Sequence, residues 1–321
     1  MGHIVDKVYL ESVFTRFDGQ PYIYQFKCED FEGLKRHKIT IPSSLGHKLQ
    51  GNFYYYEDKV KPGKLVIFEH GMWTGHRGYL REIEMLASHG FLVYAHDKTG
   101  CMESEGSATF GFGQALRDLD DALCHLKKIP ELNGWDIYVA GHSWGGYSAM
   151  NICAFHPDIK KVVSFAGLLS IKAIIRQHLK NLLIPFRGRV YFLEKAINPK
   201  YFECSADKSL ANSNVRALII QSKDDRTVKY RHHCKKLQRA LKDNERIKFI
   251  ITNGVDHNPS YSYEGIRAKK AFFKDTRKLE RAGYFKDPAT HQPHIEKYDW
   301  WKITEQDKEI WAQVFAFLDK D

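Results

Sequence analysis

Residues 136–146 read Asp136-Ile-Tyr-Val-Ala-Gly141-His-Ser143-Trp-Gly145-Gly146. An apolar run, Ile137 to Ala140, leads into G-x-S-x-G, and Trp144 to Phe155 continues at helix length. The spacing predicts a strand, a sharp turn and a helix. Gly141 and Gly145 keep side chains away from the turn, so the Ser143 hydroxyl projects at the end of the strand. A serine hydroxyl is a weak nucleophile near neutral pH and needs a base. Ser143 is therefore the candidate nucleophile.

Outward from this stretch, apolar runs alternate with segments of helical period. Upstream, Leu34 to Pro42, Leu49 to Tyr56 and Lys64 to Glu69 read as strands, punctuated by Gly46 and Lys61-Pro62-Gly63. Leu80, Ile83, Leu86 and Ala87 predict a helix closed by Gly90, and Phe91 to His96 is the next strand. Leu116 to Leu126 predicts a helix that Pro130 ends. Downstream, strands are expected at Lys161–Ala166, Val215–Gln221 and Ile247–Thr252, with helices at Lys229–Asp243 and Gln306–Asp319, the last capped by Thr304. Near-continuous apolar strands alternating with helices imply a mostly parallel sheet covered on both faces, an α/β fold.

Three stretches stand outside this alternation. Residues 1–30 read as an N-terminal extension, with an amphipathic helix over Ile4–Phe17; residues 31–321 form the main domain. A first insertion, about 168–214, opens with an amphipathic helix. Its Ile171, Ile174, Ile175, Leu179, Leu182 and Leu183 share a face, and Pro185 stops it. A second, about 258–303, has a basic helix over Tyr263–Arg281 and then a loop-like Gly283–Trp300. Long insertions at loop positions are often lids or binding elements.

The strand at Val215 ends in Asp224 and Asp225, and Gly254-Val-Asp-His257 follows the last strand. Serine, acid and histidine thus fall in the chain order of a strand-turn-helix nucleophile. His257 is the expected base, and either acid is placed to orient its imidazole. Asp256 is set aside, because consecutive side chains diverge. Acyl transfer also needs N–H donors for the developing oxyanion. The expected donors are the backbone N–H groups of Trp144, just after the nucleophile, and of Met72 in the loop Phe68-Glu-His70-Gly71-Met72-Trp73, with Trp73 as the alternative. The His70 side chain reads as structural.

Bulk properties narrow the class. The chain has 321 residues, 43% hydrophobic and 27% charged, enough for a sizeable core. The start lacks the apolar stretch of a signal peptide, and no run is long and apolar enough for a membrane span. The cysteines show no zinc spacing, so a cytoplasmic chain with reduced thiols is expected. A net charge of +10 is spread along the chain with no nucleic-acid signature, so no nucleic-acid partner is expected. His291-Gln-Pro-His294 and His232-His233-Cys234 lack the spacing and partner ligands of a metal site, and none is expected.

His70-Gly71, Gly141-His-Ser143-Trp-Gly145, Asp225 and Gly254-Val-Asp-His257 together resemble the α/β-hydrolase superfamily, and within it the serine aminopeptidase/monoacylglycerol-lipase-like group. Asp97-Lys-Thr-Gly-Cys-Met-Glu-Ser-Glu-Gly106 is similar to that group's D-x-R-G-x-G-x-S-x-G turn, with Thr99 where arginine is usual and Met102 where glycine is usual. The spacing of Asp225 to Val228 matches the family pattern better than that of Asp224. The resemblance implies an eight-stranded-type α/β-hydrolase sheet with a helical cap over the first insertion. It also implies two-step ester hydrolysis by Ser143, His257 and Asp225, with no metal or cofactor. A thioester or peptide substrate would use the same groups. A non-catalytic ligand-binding protein on the same fold is the alternative of another class. The expected partner is a small-molecule ester, with no stable membrane insertion. The sequence leaves the oligomeric state open.

Overall fold

The computed structural model describes residues 2–320. The apolar runs become β1 (Lys35–Pro42), β2 (Lys48–Tyr55), β3 (Lys64–Glu69), β4 (Leu92–His96), β5 (Asp136–His142), β6 (Lys161–Phe165), β7 (Arg216–Ser222) and β8 (Ile247–Thr252). They form one eight-stranded sheet in the order β1-β2-β4-β3-β5-β6-β7-β8. β2 is antiparallel to β1 and β4, and all pairs from β4 to β8 are parallel. The helices are α1 (Gly2–Val13), α2 (Leu80–Ser88), α3 (Gln114–Leu126), α4 (Trp144–Asn151), α5 (Ile171–His178), α6 (Arg187–Ile197), α7 (Pro199–Phe202), α8 (Ala206–Ala211), α9 (Cys234–Ala240), α10 (Tyr263–Arg281), α11 (His291–Glu296), α12 (Trp300–Ile303) and α13 (Lys308–Asp319).

Side chains alternate across a strand, so each run feeds two cores. Leu65, Ile67, Ile137 and Val139 meet Leu116, Leu119 and Leu123 of α3 and Tyr147 of α4 on one face. Val66, Phe68, Tyr138 and Ala140 meet Ile83 and Leu86 of α2 and Trp311 and Val314 of α13 on the other. Full burial of such side chains contributes about 1.5–3 kcal/mol each. This double coverage explains why these strands read as unbroken apolar runs.

Several expected elements are shorter or differently bounded. The N-terminal helix stops at Val13, and Phe17 instead bridges to Cys101. The helix expected over Lys229–Asp243 shrinks to α9, preceded by a 3-10 turn at Tyr230–His232. The amphipathic helix of the first insertion ends at His178, and Pro185 lies within a 3-10 turn, Asn181–Phe186. Ile171, Ile174 and Ile175 are buried, Leu183 is exposed, and the Leu182 side chain lies outside the described residues. Gly283–Trp300 is not a loop: it holds α11 and two 3-10 turns. Thr304 does not cap the last helix. Its hydroxyl donates back to the Trp300 carbonyl, ending α12. Asp307 is the N-cap, accepting from the Glu309 and Ile310 N–H groups, both at 2.9 Å.

The turn after β4 accommodates its two unusual residues. Thr99 donates through its N–H (2.8 Å) and hydroxyl (2.7 Å) to the buried Asp118 carboxylate. Met102 adopts φ 46°, the left-handed region that favours glycine. Arg16 of the N-terminal segment holds this turn, donating to the Met102, Ser104 and Gly106 carbonyls at 2.6, 2.9 and 3.0 Å.

Candidate active site

Ser143 is the single residue between β5 and α4, at φ 57° and ψ −112°. A non-glycine residue held there is strained, and such strain collects at functional sites. The surroundings enforce it. The Ser143 N–H donates to the Phe165 carbonyl of β6 (2.8 Å), and its carbonyl accepts from the Tyr147 N–H (3.0 Å). A β-carbon on Gly141 would fall 2.5 Å from the Gly145 carbonyl oxygen, and one on Gly145 only 2.0 Å from that of Glu69. Close packing of α4 on the end of β3 therefore requires both glycines.

The loop after β3 is built on buried charge. Lys98 Nζ, fully buried, sits 2.8 Å from the Glu69 carboxylate and donates to the His70 carbonyl at 2.9 Å. The Lys98 N–H donates to His70 Nε2 (2.9 Å), and His70 Nδ1 donates to the Gly71 carbonyl (2.6 Å). Burial, followed by the Lys98 charge, holds the His70 pKa well below the usual histidine range. A neutral His70 thus shapes the loop that carries Met72 and Trp73, as its structural reading requires. Met72 is half-buried, whereas Trp73 is exposed, sits at φ 56°, and donates its indole N–H to Ser12 of α1 at 3.0 Å.

At the ends of β7 and β8, His257 Nδ1 lies 2.8 Å from Asp225 Oδ2. Asp225 is buried, and its carboxylate is saturated. Gln221 Nε2 donates to Oδ2 (2.7 Å), and the Thr227 and Val228 N–H groups both donate to Oδ1 at 2.8 Å. Asp224 does other work. It accepts from the Ser222 hydroxyl, from the Gly254 N–H (2.7 Å) and from the Asp256 N–H (3.3 Å). Asp256 accepts from the Arg226 N–H at 3.1 Å and does not meet the imidazole in hydrogen-bonding geometry. Asp224 and Asp256 therefore knot the two loops together, while Asp225 meets the imidazole.

Sequence reading missed the groups behind this pair. His142 Nε2 donates to the His257 main-chain carbonyl (2.6 Å), and its Nδ1 accepts from the Tyr79 hydroxyl (2.6 Å). Burial and the adjacent His257 hold the His142 pKa well below the usual range, which keeps this one tautomer neutral. Lys269 of α10 donates to Asn258, next to His257, at 2.8 Å. Gln177 of α5 donates to the Thr227 carbonyl (2.8 Å) and accepts from the Lys229 N–H (2.9 Å). His142 lies inside the G-x-S-x-G stretch and so carries a weak local signal. Tyr79, Gln177 and Lys269 carry none.

The histidine-rich motifs have structural partners. His294 is buried, 3.1 Å from the Thr276 hydroxyl, among Phe272, Phe285 and Tyr298. His233 accepts the Leu169 N–H at 3.0 Å. Asp120, Cys124 and His156 converge closely enough to suggest a metal site. The Asp120 carboxylate, however, already accepts from Lys200, Tyr201 and His156 at 2.5, 2.7 and 2.8 Å. That arrangement suits an ion-pair cluster.

Residues 60–199 match the family described as serine aminopeptidase, S33. Human monoglyceride lipase is 29% identical over 124 residues, 38% of either chain. The matched stretch spans about a third of the length of the curated relatives, 34% and 38%. The Pyrococcus furiosus esterase Pf2001 superposes with a TM-score of 0.59 at 18% identity, covering 85% of this chain and 97% of its own. Est1E from Butyrivibrio proteoclasticus, solved with ferulic acid bound, gives 0.56 at 20% identity, covering 74% and 98%. At such identities these structures bear on the fold, which they share. The sheet order and the strained serine turn are those of the α/β-hydrolase fold, and over residues 60–199 the chain is similar to the serine aminopeptidase, S33 family.

Proposed function

We propose that the protein is a serine hydrolase that cleaves carboxylic esters through an acyl-enzyme on Ser143. The observation that carries this reading is the His257–Asp225 hydrogen bond of 2.8 Å, at the strand ends of a sheet that also presents a strained serine. In the proposed cycle, Ser143 Oγ attacks the ester carbonyl carbon and its proton passes to His257 Nε2. The carbonyl π electrons move to oxygen, facing the Met72 and Trp144 N–H groups. Collapse breaks the bond to the alcohol, which leaves with the proton from His257. Water, deprotonated by the same imidazole, attacks the acyl-enzyme and releases the acid. Asp225 keeps Nδ1 protonated and stabilises the imidazolium. Each step uses side chains and backbone alone, without metal or cofactor.

The segment from α5 to α8, between β6 and β7, is the proposed cap over a small or medium apolar ester. Free cysteines accord with a reducing, cytoplasmic setting. No helix among the described residues is long and apolar enough to cross a membrane.

The test is a chain-length series of p-nitrophenyl esters on wild type and Ser143→Ala, with fluorophosphonate labelling. Hydrolysis and labelling are expected in wild type, and both should be abolished in the variant. Activity that survives Ser143→Ala would refute the nucleophile. Labelling without ester turnover would redirect the substrate class to thioesters or peptides. Absence of labelling would favour a ligand-binding role on the same fold.

A further inference from the structure

A cleft of about 440 Å³ opens between α5, the 3-10 turn that follows it, and the start of α9. Its walls include Arg176, Lys180, Arg187, His232 and Lys236, and they exclude Ser143, Asp225 and His257. Among the described residues none of its lining side chains is a carboxylate, and none of Arg176, Lys180, Arg187 and Lys236 forms an ion pair. Three cations of the same segment are paired instead: Lys172 with Glu203, Arg189 with Asp6 and Lys200 with Asp120. The folded chain thus gathers like charges around one concavity without internal compensation. Such a cleft focuses positive potential and raises the local concentration of anions.

From this we infer that the cleft binds a phosphate-bearing ligand through Arg176, Lys180, Arg187 and Lys236. Several converging cations suit a multiply charged oxyanion better than a single carboxylate, and guanidinium groups match its oxygen geometry. The guanidinium of Arg187 is pre-oriented: Nε donates to the Leu179 carbonyl at 2.7 Å and a terminal nitrogen to that of Arg176 at 3.3 Å. Burial, then the charges of Lys180, Arg231 and Lys236, lower the His232 pKa, consistent with uncompensated positive charge there. Gln177 also lines the cleft while holding the 227–229 loop, so a ligand here sits one side chain from the loop that carries Asp225.

The experiment uses the full chain and inorganic phosphate, titrated at constant ionic strength against chloride. Phosphate should raise the unfolding midpoint saturably, as a ligand of the folded state must. The double variant Lys180→Gln/Lys236→Gln should unfold as wild type does in chloride and bind phosphate about tenfold or more weakly. Lys128→Gln/Lys248→Gln, elsewhere on the surface, should respond like wild type. Sedimentation with phosphatidylcholine vesicles, with and without phosphatidic acid, separates the sources. Co-sedimentation lost in the Lys180/Lys236 variant would assign a lipid headgroup. Phosphate binding without co-sedimentation would assign a soluble phosphate ester. Identical responses to phosphate and chloride, or full binding by the Lys180/Lys236 variant, would overturn the proposal. The binding readout is independent of hydrolysis, so it stands or falls apart from the role of Ser143.

Discussion

The segment between β6 and β7 and the segment between β8 and α13 flank the same hydrogen-bonded pair, yet they are built differently. The first breaks into short helices, α5 to α8, with Ile184 50% and Phe192 70% exposed. The second pairs one long helix, α10, with the short α11 and α12 around a dense aromatic cluster of Phe272, His294, Tyr298 and Trp300. Each sends one polar side chain to the site. Gln177 steadies the loop of Asp225, and Lys269 steadies that of His257. Exposed apolar side chains cost little to rearrange, whereas a buried aromatic cluster resists movement. The contrast separates a segment with exposed apolar side chains from one whose aromatic cluster buttresses the loop of His257.

The largest test of the shared pair is Asp225→Asn. It should lower kcat about 10⁴-fold by disturbing the imidazole tautomer, whereas Asp224→Asn should mainly loosen the loops. Ester kinetics and thermal unfolding on both variants distinguish the two roles, and a larger kcat loss at Asp224 would reverse them. Next comes the buttress. Phe272→Ala should cost about 3–5 kcal/mol of stability, measured by urea unfolding. Its counterpart in the first segment, Phe192→Ala, should stay within about 0.5 kcal/mol. Similar losses would erase the contrast. Lys269→Met and Gln177→Leu should each lower kcat by between about tenfold and 10²-fold by letting one loop drift. An unchanged kcat in either would remove that side chain from the positioning role.

A smaller effect is pH-dependent. Burial raises the Glu82 carboxyl on α2 to about 7 and lowers the Lys269 ammonium to about 8. Folded Glu82 holds its proton where the unfolded chain has lost it. Stability from this group is therefore greatest at low pH and falls as pH rises from the ordinary carboxylate range to about 7. For Lys269 the unfolded state binds the extra proton, so stability rises with pH from about 8 towards the ordinary lysine range. Asp118, also raised by burial to about 7, contributes a slope in the acidic window. The part due to Glu82 is thus the difference between wild type and Glu82→Gln in unfolding midpoint across pH. A difference that does not vary with pH would remove Glu82 from this linkage.

Local pattern sufficed for what depends on neighbours in the chain. The strand-turn-helix around Ser143, the boundaries of β3 and β8, and the two-sided core all follow from hydrophobic period and glycine placement, because backbone sterics and side-chain alternation act over a few residues. The span of α10 was legible for the same reason. The caps were less so. Thr304 and Asp307 are both good capping residues, and only the backbone path chooses between them. Likewise α5 stops short of its apolar pattern, because the chain must turn before α6.

The sequence by itself determined the parallel α/β sheet, the serine turn and the order in which acid and histidine arrive. Tertiary structure alone decided that Asp225 meets the imidazole while Asp224 ties down the loop of His257. It also alone joined Tyr79, His142, Gln177 and Lys269 to the site and gathered unpaired cations from α5, α6 and α9 around one cleft. The physical reason is range. Propensity and period are set by neighbours in sequence, whereas hydrogen bonds and electrostatic fields depend on distances that exist only once the sheet has closed.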